Sequence, residues 1–109
     1  MDREIKKFIE ERGVDLTIPQ QEQVLKIIGM MVAAGKSTSA KKLSPIIDKL
    51  LECDPEVTYA IVVLMPMQSL NCFVDCSDDR FKVSVNKITT FIEEKKQKDS
   101  VDKTLGGGI

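Results

Sequence analysis

Asp54-Pro55-Glu56-Val57-Thr58-Tyr59-Ala60-Ile61-Val62-Val63-Leu64-Met65-Pro66-Met67 is the stretch whose reading decides the fold. From Val57 to Met65 it carries no charge, and no other run is as apolar, so the core must be built on it. Its first residues have the form of a helix start. Asp54 supplies a capping carboxylate, Pro55 suits the first helical position, and Glu56 faces the positive end of the helix dipole. The residues that follow pull the other way, because Val57, Thr58, Tyr59, Ile61, Val62 and Val63 are strand-favouring. Pro66 stops or kinks either element.

Upstream, Ser44-Pro45 restarts or kinks a helix that Ser37, Thr38 or Ser39 can begin. Ile46, Ile47, Leu50 and Leu51 then give it an apolar face up to Glu52. Taken together, Ser44 to Leu64 resembles a HEAT or armadillo-type helical hairpin: a proline-led helix ending in Leu50-Leu51, a D-P-E-V turn, and a second helix of small and apolar residues. The chain departs from that pattern at Thr58, where such repeats commonly hold a basic residue. No second copy is visible at their period of ~40 residues. The resemblance implies helix–turn–helix and a packing surface, not chemistry.

Two helices precede this unit. Over residues 2–12, Ile5, Phe8 and Ile9 recur at i, i+3, i+4, and Gly13 sits where a C-terminal cap belongs. Thr17-Ile18-Pro19-Gln20 reads as a capping box opening a helix over 18–34, which Gly35 ends. Val24, Ile27, Ile28 and Met31 form its stripe, broadened by Leu25 and Val32.

Downstream the period is ambiguous. Met67, Leu70 and Val74 align on a helix, while Leu70, Cys72, Val74 and Cys76 alternate as a strand would. Phe81, Val83 and Val85 alternate too, yet Phe81, Val85, Ile88 and Ile92 make a helical seam. Asp78 and Asp79 before that seam, and Lys95, Lys96 and Lys98 after it, match a helix dipole at both ends. The expected fold is a compact all-α bundle of about five or six short helices. The competing reading is α+β. In it, helices 2–12, 18–34 and 38–52 pack on a small antiparallel sheet 57–65/70–76/81–85, with a C-terminal helix 87–96. Residues 1–97 read as one domain and 98–109 as a flexible tail.

Composition narrows the function. Of the 109 residues, 42% are hydrophobic and 30% charged, as expected of a globular domain. Sixteen basic and seventeen acidic side chains leave a net charge of -1, which exerts no global pull on nucleic acid or an anionic membrane. No apolar run approaches the length of a membrane span. Three cysteines, Cys53, Cys72 and Cys76, without framework spacing point to free thiols in a reducing, cytoplasmic setting. The chain has no histidine, which removes the commonest general base and neutral metal ligand.

The candidate chemical motifs have plainer readings. Gly35-Lys36-Ser37 ends like a phosphate-binding Walker A loop, but Met30 stands where its first glycine belongs, so a helix cap is the better account. Cys53, Cys72 and Cys76 read as structural cysteines in apolar surroundings, not as a thiolate metal site. Asp75, Asp78 and Asp79 lack the spacing of a calcium loop and suit a helix start. Leu105-Gly106-Gly107-Gly108 faintly resembles the tail of ubiquitin-like modifiers, whose folds begin with a hairpin where this chain begins with helices.

What remains is apolar surplus. The 18–34 helix is apolar on more than one face, and Met30, Met31, Met65 and Met67 suit an adaptable surface. The expectation is a non-enzymatic protein–protein interaction module: an adaptor, inhibitor or assembly subunit without a cofactor or metal. It self-associates or binds a protein partner through Val24, Ile28, Met31, Val32, Met65 and Met67. The alternative is a small nucleic-acid-binding regulator that contacts anionic partners through Lys36, Lys41, Lys42 and Lys49.

Overall fold

Burial along Val57–Met65 follows the helical period. Val57, Thr58, Ala60 and Ile61 are each 0% exposed, whereas Val63 is 40% exposed. A strand would have put Ile61 and Val63 on one face. The computed structural model describes residues 2–76 and 79–107, with side chains for 3–76 and 79–97. Among the described residues it holds six helices and no strand: α1 Asp2–Arg12, α2 Ile18–Ala34, α3 Ala40–Glu52, α4 Pro55–Leu64, α5 Met67–Cys76 and α6 Asp79–Gly107. The sheet over 57–65/70–76/81–85 does not form.

The reason lies in α4's neighbours. It packs against α1, α2 and α6 together, so its β-branched residues are covered on several sides without any ladder of strands. Each fully buried Val or Ile contributes roughly 1.5–3 kcal/mol, more than the few tenths by which helix propensity disfavours it. Asp54 is the N-cap residue but makes no side-chain cap bond; its Oδ2 instead accepts from Gln20 Nε2 at 3.3 Å. That amide also donates to Glu56 Oε1 at 3.2 Å, while Gln20 Oε1 accepts from the Thr17 backbone N–H at 2.9 Å. The expected capping box of α2 is therefore present, and it also ties α2 to the start of α4.

Thr58, the departure from the repeat pattern, has a specific task. Its hydroxyl donates to the Leu50 carbonyl at 3.0 Å, joining α4 to the last turn of α3. The helix–turn–helix over 44–64 thus forms as expected. Its two arms, however, lie against α2 and α6 more than lengthwise against each other. Pro45 sits inside α3 and the helix runs through it, so Lys41's carbonyl lacks its usual donor. Lys87 of α6 satisfies the other end: its ammonium donates to the carbonyls of Leu51 and Cys53.

Helix α6 is longer than the 87–96 element of the α+β reading and runs on through much of 98–109. Side chains beyond Gln97, and residues Gly108 and Ile109, lie outside the described residues. The α6 seam is also rotated from the expected one. Phe81, Ser84 and Ile88 are buried, while Val85 is 38% exposed. Ser84 is fully buried because its hydroxyl donates to the Arg80 carbonyl, which lets a polar residue face inward. Aromatic contacts lock the layers: Phe8 meets Tyr59 and Tyr59 meets Phe91 edge-on, and Phe73 stacks on Phe81 at 5.0 Å. Arg80 reaches back to Asp48 and Ser44 of α3.

Ile61→Ala is expected to cost about 2–5 kcal/mol in urea denaturation. Val63→Ala should stay within about 0.5 kcal/mol of wild type. Equal costs at the two positions would contradict the helical burial of this stretch. Thr58→Val strips the Leu50 carbonyl of a buried donor and is expected to cost about 1–3 kcal/mol in the same measurement.

Candidate interaction surface

The six residues expected to form a docking surface separate cleanly. Val24, Ile28 and Met31 belong to the buried stripe of α2, and Met65, the C-cap residue of α4, is buried as well. These four are part of the core, with Met31 reaching only the hollow beside Val32. Much of the apolar surplus of α2 is enclosed by α3 and α4, an arrangement its own periodicity could not reveal. Val32 and Met67 remain exposed, at 63% and 70%.

Those two flank one feature. The chain bends by 111° between α4 and α5 at the Met65-Pro66 break, which brings the corner against the end of α2. A hollow of about 210 Å³ lies there, lined by Met31, Val32, Gly35, Pro66, Gln68 and Ser69. From it, α5 carries Met67, Leu70 and Val74 outward at i, i+3, i+7. Val74 is 60% exposed and Leu70 half-buried, while Ser69, Cys72 and Phe73 turn inward. No charged residue occurs from Val57 to Val74. Val74 was not among the expected contact residues, although its alignment with Met67 and Leu70 is legible in the sequence. What the sequence lacked was which face of α5 the rest of the bundle covers.

Lys36, Lys41 and Lys42 are exposed and take part in no ion pair among the described residues. Lys49 lies two turns further along α3 and reaches Glu52 at 3.9 Å, a solvent-exposed pair worth little. Lys41 and Lys42 border a second hollow, of about 370 Å³, with Met30, Ala33, Ala34, Pro45 and Ile46. A third, of about 410 Å³, is lined by Gly13, Val14, Asp15, Glu56, Phe91, Glu94 and Lys95, so its carboxylates have a lysine among them.

The phosphate-loop-like segment is a helix ending. Met30–Ala34 lie in α2, and Gly35 adopts φ 65°, a left-handed value that favours glycine, with its N–H donating to the Val32 carbonyl. No strand precedes it among the described residues. All three cysteines are free. No group of three His, Cys, Asp or Glu among the described residues is placed to hold a metal ion. Of the acidic cluster, Asp75 and Asp79 are exposed and Asp78 lies outside the described residues. Among the described residues, no single helix is long and apolar enough to cross a membrane.

Comparison with family models, with curated proteins and with solved structures finds no match to this chain.

Burial pushes the Cys53 thiol up, only partly opposed by the nearby Lys87 ammonium. Its Sγ donates to the Lys49 carbonyl at 2.9 Å. Cys76 is half-buried by contrast. Mildly alkaline alkylation of the native protein, followed by mass spectrometry, should label Cys76 first and Cys53 last. Because folding raises this thiol's pKa, its contribution to stability is intact below the unfolded value. That contribution declines as pH rises above it, toward the folded value. Cys53 labelled as fast as Cys76 would contradict its placement.

Proposed function

We propose that this chain is a non-enzymatic protein-interaction module that self-associates through the outer face of α5 and the end of α2. The observation that carries this reading is the run Met67–Leu70–Val74 beside Val32. It is apolar and uncharged, and among the described residues Met67 and Val74 stay exposed while Leu70 packs in part against the core. Exposed apolar residues scattered singly are ordinary, but exposed apolar residues sharing one helix face next to a hollow between two elements suit docking. The occupant is a second copy: an uncharged stripe imposes no like-charge penalty on pairing with itself, and a two-fold contact between two α5 helices buries the same residues on both sides.

The lack of histidine in the whole chain supports a binding role over catalysis. The nucleic-acid reading has less support. Lys49 is paired and lies apart from Lys36, Lys41 and Lys42, and no aromatic side chain lines the hollow beside Lys41 and Lys42 on which a base could stack.

Sedimentation velocity over a concentration series should show a reversible monomer–dimer equilibrium for the wild type. Met67→Glu with Val74→Glu should give a monomer throughout, with the melting temperature changed by only a few degrees because both side chains are exposed. A wild-type monomer at every concentration would overturn the proposal.

A further inference from the structure

The hollow between α2 and α3 lies on a different surface from the α5 stripe, and its charge and shape specify an occupant of their own. From Gln23 to Ile47 the chain contains no acidic residue and four lysines, Lys26, Lys36, Lys41 and Lys42. None of the four is in an ion pair among the described residues. Lys41 and Lys42 stand in the first turn of α3, at the positive end of its dipole, where cations are unfavourable. Ser39 caps that end without a side-chain bond and no acidic residue stands in the first turn; the Ser37 hydroxyl accepts from the Ser39 backbone N–H at 3.2 Å, which leaves the two lysine charges without a counter-charge there. Among the described residues no ion pair accounts for two lysines in this position.

The α2 face that runs back from the hollow poses the same question. Lys26, Gly29, Met30 and Ala33 recur along one exposed or half-buried face of α2, and Ala34 adjoins them. Gly29 is in mid-helix, where glycine is less favourable than alanine. It does not need a left-handed backbone, and a Cβ added there would meet nothing within 4 Å. The fold itself therefore gives no reason for this glycine. Ala33 and Ala34 line the hollow with Met30, Pro45 and Ile46 and let another backbone come close, and Gly29 continues the same α2 face one turn back from Ala33.

We infer that this groove docks an amphipathic helix of a partner protein, with its apolar stripe over Gly29, Ala33 and Ala34 and its acidic flank against Lys41 and Lys42. The apolar lining selects against a nucleic acid, whose affinity comes from neutralised phosphates and whose backbone gains nothing from Met30, Pro45 or Ile46. The inference shares the protein-binding reading above but not its surface, so Met67→Glu with Val74→Glu should leave binding at this groove unchanged.

The probe is a fluorescein-labelled helical peptide with a leucine stripe flanked by glutamates, followed by fluorescence anisotropy against the full chain. Three controls are a version with lysine for every glutamate, a scrambled version that keeps the charge but breaks the stripe, and a short duplex DNA. The glutamate peptide should bind at least tenfold more tightly than all three. Lys41→Glu with Lys42→Glu should abolish binding while raising the melting temperature, since acids suit that helix end. Gly29→Ala should likewise raise the melting temperature yet weaken the peptide several-fold. These variants separate lost binding from lost folding. Equal binding of the scrambled peptide, no binding of the glutamate peptide, or tighter binding of the DNA with steep loss as salt rises would each overturn the inference.

Discussion

The enclosure of α4 is the constraint on which the rest of the structure depends. A ten-residue helix with no charge after Glu56 has no face that water would prefer, so three other helices must be found to cover it. That requirement sets the positions of α1, α2 and α6. It also explains why the capping carboxylate of Asp54 serves Gln20 of α2 instead of its own helix end. Thr58 shows the same economy. It is a polar residue in the driest part of the molecule, retained because its hydroxyl satisfies the Leu50 carbonyl and fixes α3 against α4.

The long helix α6 closes the bundle by a different means. Its contacts are polar at the level of single residues: Lys87 holds the end of α3, Arg80 holds its middle, and Ser84 faces inward with its hydroxyl bonded to its own helix. Phe81 and Phe91 supply the apolar contacts between those polar ones. A seam written this way is hard to read as periodic hydrophobicity, because three of the residues on it are Arg, Ser and Lys.

Two surfaces escape this closure, and they differ in kind. The α5 stripe is apolar and neutral, and on the proposed reading it pairs with a copy of itself. The α2–α3 groove is apolar and cationic, with lysines at the wrong end of a dipole, and a mid-helix glycine without a packing reason lies one turn back along α2. Such local conflicts concentrate where binding is the task, since a residue that costs the free chain stability is retained for a contact made with something else.

The sequence by itself determined the helices of the first half nearly to the residue. The caps at Gly13, Thr17 and Gly35 and the spacing of Ile5, Phe8, Val24, Ile27, Ile28 and Met31 are local signals that need no partner to act. It also determined that Gly35-Lys36-Ser37 ends a helix, since the first glycine of a phosphate loop is missing. Only the tertiary structure decided the form of Asp54–Met67, because β-branched residues suit a helix or a strand according to what covers them. It likewise decided which apolar residues were left for a partner. Val24, Ile28, Met31 and Met65 carry the same kind of side chain as Val32 and Met67. What separates them is which side of each helix faces the bundle, and that depends on contacts between residues far apart in the chain.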